Sequence, residues 1–240
     1  MADWQAAEIV AVAEATPGIR LFTLRPERWA PFDAGQHLDV RLTAPDGYQA
    51  ERSYSVCSAP ETVGNWELAV ELMPDGEVSP WFHEVAAPGD SLEARGPFGG
   101  HFAWRAADGG PLLLMGGGSG LAPLVSIVRH HAAVAPAIPV MLVCAARTWD
   151  DIPFRDEILA REAAEPALTV ILALSRDTPR RPQDIGMRLD APAVDWLLSR
   201  MPAPAITYVC GNNSFVETVT EAAVARGLAP GTIRTERFGG

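Results

Sequence analysis

The run Leu112-Leu113-Leu114-Met115-Gly116-Gly117-Gly118-Ser119-Gly120-Leu121-Ala122-Pro123 constrains this chain more than any other twelve residues. Four apolar residues read as a buried strand, the glycines as a tight turn, and Pro123 as a residue in the first turn of a helix. A strand feeding a glycine turn and then a helix is the unit from which a parallel α/β sheet is built. The helix N-terminus there offers unpaired N–H groups and a partial positive charge to a phosphate. In the spacing Gly118-x-Gly120-x-x-Pro123, proline stands where a dinucleotide fingerprint usually has its third glycine. The strand–turn–helix context is the one that fingerprint requires.

The hydrophobic rhythm changes around this unit. After about residue 105, the stretches 112–115, 140–145, 168–174 and 206–210 are apolar without alternation, as strands buried on both faces are. Helical stretches at 122–133, 154–163, 193–198 and 215–225 separate or follow them. Before residue 96 the pattern is short alternating runs at 7–13, 20–25, 37–42, 52–58, 66–72 and 91–95, with turns at Pro17-Gly18, Asp46-Gly47, Asp75-Gly76 and Pro88-Gly89. In the fifth run Leu68, Val70 and Leu72 share one face while Glu67, Ala69 and Glu71 share the other. The expected fold has two domains. A six-stranded antiparallel β-barrel occupies residues 1–105, and a doubly wound α/β domain with a parallel sheet occupies 106–240. The Gly-rich link 101–111 is the expected boundary.

Charge narrows the function classes. The net charge of −11 argues against nonspecific binding to nucleic acid or to an anionic membrane. The 19 basic residues are all arginine, which the codon bias of a GC-rich genome accounts for in the main. The three cysteines lie far apart, so no disulfide framework, zinc site or iron–sulfur cluster is expected. The start, Met-Ala-Asp-Trp, has no signal-peptide character and no apolar run reaches about 18 residues, so a cytoplasmic protein without a membrane partner is expected.

Two further segments carry chemistry. In Arg52-Ser53-Tyr54-Ser55 an arginine can fork onto a phosphate, a tyrosine ring can lie flat on another aromatic system, and a serine can hydrogen-bond a ring nitrogen. In Gly76-Glu77-Val78-Ser79-Pro80, Ser79 reads as the N-cap of a short helix over about 79–85, whose start could hold a second phosphate.

These elements, in this order, resemble the ferredoxin–NADP reductase superfamily. The resemblance extends through Gly89-Asp90, Gly96-Pro97-Phe98-Gly99, Ala146-Arg147-Thr148, Leu174-Ser175-Arg176, Cys210-Gly211 and Glu236-Arg237-Phe238. It implies a flavin-binding barrel, with Arg52 on the FAD pyrophosphate, Tyr54 stacked on the isoalloxazine and Ser55 bonded to the flavin nitrogen that receives hydride. Ser53 belongs to the same strand. Backbone groups of Val70–Leu72 would reach the pyrimidine edge, and the turn with Gly76, Val78 and Ser79 would close on the pyrophosphate. In the α/β domain, Gly117, Gly118, Ser119, Gly120, Leu121 and Pro123 would meet the nicotinamide dinucleotide, with Cys210 and Gly211 beside the nicotinamide.

For the choice of nucleotide, the resemblance directs attention to Ser175 and Arg176, where relatives that prefer NADH often carry an acid. Arg176, with Arg147 and Arg181, suits the 2′-phosphate of NADPH, and NADH is the alternative. Phe238 resembles the family's terminal aromatic and Glu236 its nearby carboxylate, although Gly239-Gly240 follow here. The implied catalytic set is Ser55, Cys210 and Glu236, with no metal. His37, His83, His101, His130 and His131 show no metal-ligand spacing and read as structural or surface residues, and Ser119 lacks the context of a hydrolase nucleophile.

The expected activity is FAD-dependent oxidation of NAD(P)H, with electrons passed to a separate ferredoxin or oxygenase component, since no cluster cysteines are present. The alternatives are an NAD(P)H-dependent flavin or quinone reductase and a non-catalytic electron-transfer subunit with a vestigial nicotinamide site.

Overall fold

The computed structural model describes residues 3–238. Six strands build the first module: β1 Gln5–Thr16, β2 Ile19–Pro26, β3 His37–Thr43, β4 Gln49–Ser55, β5 Trp66–Glu71 and β6 Ser91–Phe98. They form one antiparallel sheet in the order β4-β3-β6-β1-β2-β5. Its two end strands meet through a single bridge, Val56 to Leu68, beside the Cys57 N–H bonded to the Glu67 carbonyl at 2.8 Å. The barrel is thus closed at one end of the β4–β5 seam and open at the other. Ile9, Phe22, Leu24, Leu38, Val40, Trp66 and Leu68 fill its interior, as the alternation in the sequence requires. Helix α1, Ser79–Glu84, plugs the barrel with Phe82, whose ring meets Phe22 edge-on at 4.7 Å.

The second module holds β7 Leu112–Gly117, β8 Val140–Ala146, β9 Leu168–Leu174, β10 Ile206–Asn212 and β11 Ile233–Phe238, with helices α2 Leu121–Val134, α3 Arg155–Ala164, α4 Ala191–Leu198 and α5 Asn213–Ala225. The sheet is parallel in the order β11-β10-β7-β8-β9. Leu112 and Leu114 face α2 and α3, while Leu113 and Met115 face α4 and α5. Helices on both faces explain why these strands lack alternation.

The expected two-module architecture stands, with local differences. Strand β4 begins three residues earlier and ends three earlier than the 52–58 run, because Val56 already turns away to close the seam. The fifth parallel strand, β11, is absent from the expected strands; it lies at a sheet edge, and between its terminal Ile233 and Phe238 every residue is polar or charged, which masks the signal. Ser79 is not an N-cap. Val78 precedes the helix without a side-chain cap, and the Ser79 hydroxyl instead accepts from the Met73 N–H at 3.0 Å, tying the turn 73–76 to α1.

The link 101–111 packs rather than swings. Phe102 and Trp104 are buried in a core that barrel residues Ile19, Cys57 and Ala69 share with α2 and the parallel sheet. The Tyr208 hydroxyl donates to the Ala103 carbonyl at 3.1 Å, and Arg234 donates to the same carbonyl and to Tyr208. Arg129 of α2 donates to the Cys57 carbonyl at 2.8 Å and pairs with Glu67 at 2.6 Å, so charged groups also join the modules.

Candidate functional site

Strands β7 and β10 end side by side, with Cys210 in register with Gly116, and β11 adds Glu236 in register with Cys210. Gly118 adopts φ 57°, a left-handed backbone that favours glycine. A Cβ on Gly120 would lie 2.3 Å from the Cys210 carbonyl oxygen, so only glycine lets the start of α2 sit this close to the end of β10. The turn therefore has the shape the fingerprint calls for, and Pro123 lies in the first turn of α2. Burial holds the Cys210 thiol well above its ordinary pKa, and Glu236 adds to this, so the group is neutral.

The barrel presents β4 to the same place. Ser55 is buried and its hydroxyl donates to Glu236 at 3.3 Å. His37, in register with Ser55 on β3, puts Nδ1 3.8 Å from the other oxygen of Glu236. The nearby Glu236 carboxylate raises the His37 pKa against the effect of burial. His37, expected as a structural or surface residue, thus lies beside Ser55 and Glu236, a placement with no local signal because Glu236 is 199 residues away. Tyr54 packs edge-on against Phe82 at 5.6 Å, and burial raises its phenol pKa.

Arg52 and the 76–79 turn come together through Glu77. The guanidinium donates to Glu77 at 2.9 Å, and Tyr48 donates to the same carboxylate. Those two donors, Tyr48 first, hold Glu77 below the ordinary carboxylate range. Half of the Arg52 side chain remains exposed. Ser53 donates to Asp39 on the neighbouring strand, which gives it a structural tie.

On β5 the Leu72 N–H is committed to the Gly18 carbonyl at 2.9 Å, and the Val70 carbonyl meets His83 Nε2 at 2.9 Å. Antiparallel pairing alternates hydrogen-bonded and non-hydrogen-bonded positions, so Ala69 and Glu71 turn their backbone groups toward the seam. Within the span Val70–Leu72 expected at the pyrimidine edge, Val70 and Leu72 spend backbone groups on these partners and Glu71 between them faces the seam.

At the far end of the sheet the Arg176 N–H donates to the Arg147 carbonyl at 2.8 Å and Ser175 to Ala146, so β8 and β9 deliver these residues together. Among the described residues neither guanidinium has an acidic partner. Asp177 accepts from the Trp149 and Thr178 N–H groups, and these backbone bonds lower its pKa. Trp149, unanticipated, lies under Arg180 at 4.6 Å. Arg181 does not join this edge. It is engaged by Glu162, Asp184 and the Val170 carbonyl, which makes it a brace beneath the sheet. Phe238 is half-buried against the shared core in register with Asn212, and Gly239-Gly240 lie outside the described residues.

A barrel with an open seam, joined at its Ser55 strand to the carboxyl ends of a dinucleotide-type sheet, defines a two-module flavin- and nicotinamide-nucleotide-dependent oxidoreductase. Residues 7–104 match an oxidoreductase FAD-binding domain, and residues 114–221 match an oxidoreductase NAD-binding domain. Ferredoxin–NADP reductase B of Sorangium cellulosum is 30% identical over 97% of this chain and 96% of its own. A ferredoxin–NAD(P)(+) reductase component of naphthalene 1,2-dioxygenase/salicylate 5-hydroxylase systems from Ralstonia sp. is 28% identical over 96% of this chain, which spans 67% of that relative. The crystal structure of an Amycolatopsis cytochrome P450 reductase superposes with a TM-score of 0.84 at 26% identity, covering 99% of this chain and 70% of that one. The chain belongs to the ferredoxin–NADP reductase superfamily; it is an enzyme that uses FAD and NAD(P)H.

Proposed function

We propose that this enzyme takes electrons from NADPH and passes them, through FAD, to a separate protein acceptor, a ferredoxin or an oxygenase component. The observation that carries the reading is the meeting of Ser55 and Glu236, which sets the barrel strand of the flavin module against the strand ends of the nucleotide module. The modules divide at residues 105 and 106.

The residues present fit both cofactors. The open seam leaves backbone groups of Ala69 and Glu71 for the pyrimidine edge, Tyr54 offers a ring face, and Arg52 with the 76–79 turn meets the FAD pyrophosphate. The glycine turn 117–121 receives the pyrophosphate of the nicotinamide nucleotide, and Arg147 and Arg176 receive a 2′-phosphate. Bound flavin supplies the conversion between two-electron and one-electron transfer. The protein positions and protonates. Ser55 Oγ holds a proton at the inner end of a chain that continues through Glu236 to His37, whose partly exposed ring reaches solvent. Neutral Cys210 would lie beside the nicotinamide without adding charge. Phe238 would supply an aromatic ring near the flavin or adenine.

The relatives described as reductase components of dioxygenase and P450 systems support a protein acceptor. Steady-state NADPH oxidation with a ferredoxin, an oxygenase component, free flavin and a quinone tests this. The proposal expects a protein acceptor to give the highest kcat/KM; a quinone or free flavin exceeding every protein acceptor overturns it.

A further inference from the structure

Glu71, the last residue of β5, belongs to the flavin module, yet its side chain ends on the glycine turn of the nucleotide module. The Ser119 hydroxyl donates to Glu71 Oε2 at 2.6 Å, and the Ser119 N–H points at the same oxygen at 3.4 Å. A Cβ built on Gly118 would find only the two Glu71 oxygens within 4 Å, at 3.5 and 3.9 Å. The carboxylate therefore lies over the open face of the turn. Among the described residues it has no cationic partner, so its charge is met by the hydroxyl and the amide alone. This is the place where a turn leading into a helix accepts an anion.

We propose that Glu71 is an internal competitor for the pyrophosphate of the nicotinamide nucleotide and so determines how tightly the turn binds it. The proposal rests on the reading of residues 117–121 as the pyrophosphate site. A pyrophosphate on this turn must displace Glu71 from Ser119, and it then faces a like charge within a few ångströms, carried by a protein whose net charge is already −11. The same residue lends its backbone to the flavin seam, so entry of the nucleotide moves a side chain rooted in the flavin site.

The test is equilibrium titration of the flavin-loaded enzyme with NADP+, followed by the flavin difference spectrum, at low and moderate salt. Glu71→Gln is expected to bind NADP+ about ten-fold more tightly than the parent at low salt, with the advantage shrinking as salt screens the charge. Glu71→Asp keeps the charge and is expected to stay near the parent. Inorganic pyrophosphate, used as a competitor, should gain by the same factor in Glu71→Gln. Gly118→Val, or Gly118→Ala if the valine chain does not retain flavin, tests the site itself and should weaken NADP+. If Gly118 variants lose NADP+ but Glu71→Gln does not gain, the competitor role is overturned while the site stands. If Gly118 variants bind NADP+ unchanged, the turn is not the pyrophosphate site and the proposal falls with that reading.

Discussion

Single residues at this site are held by substitutes for the ligands they are proposed to bind. Arg52 rests on Glu77, an exposed pair that holds its geometry weakly, whereas a pyrophosphate offers a guanidinium two charge-assisted bonds. Glu77→Gln is expected to tighten FAD several-fold, measured by fluorescence titration of the apoprotein, and Arg52→Ala to weaken it by at least ten-fold. For nucleotide choice, Arg147 and Arg176 lack acidic partners among the described residues, and Asp177 is spent on backbone amides. The double change Ser175→Asp with Arg176→Ala is therefore expected to shift the ratio of kcat/KM toward NADH; an unchanged ratio would refute the assignment.

His37 carries a pH signature at the same scale. Its pKa is raised from 6.5, chiefly by the Glu236 carboxylate beside it, despite burial. A group whose pKa rises on folding contributes fully below its unfolded value and loses that contribution as pH rises through the folded value. The partly exposed pair is worth about 1 kcal/mol or less. Urea midpoints of the parent should fall between about pH 6 and pH 8.5 relative to those of His37→Gln.

At the scale of elements, periodicity reported what burial imposes. The runs at 168–174 and 112–115 are buried on both faces and read as strands from composition alone. Glycines marked the turn because Gly118 needs its backbone conformation and Gly120 its missing side chain. What was illegible depends on pairing across the chain. Strand β11 is an edge element with charges on it, and nothing local says that Ile233–Phe238 extends the parallel sheet. The hydrogen-bond phase of β5, which turns Ala69 and Glu71 toward the seam, is set by its partner β2 and has no local signal. Arg181 looked like a ligand because its role as a brace is fixed by Glu162 and Asp184, side chains placed by the fold.

For the whole molecule, the central fact is that the two modules share a core and a charged clamp. Arg129 of α2 bonds Glu67 in the barrel and Glu157 on α3, both at 2.6 Å, and burial opposes the charges of Arg129 and Glu157. Arg129→Ala would leave Glu67 without its cation while Glu157 keeps Arg161, a loss of about 2 kcal/mol. Chemical denaturation should register that loss, and Arg129→Met should recover only the packing part. Because the clamp and the Ser55–Glu236 contact lie on the same junction, that variant should also slow reduction of the flavin, read by stopped flow.

The central claim is that this junction delivers reducing equivalents from a nicotinamide nucleotide to a flavin. The direct measurement is an anaerobic titration of the flavin-loaded enzyme with NADPH and, separately, with NADH, following flavin absorbance. Bleaching by both is expected, complete at lower concentration with NADPH. A protein that binds flavin yet shows no bleaching with either nucleotide would contradict it.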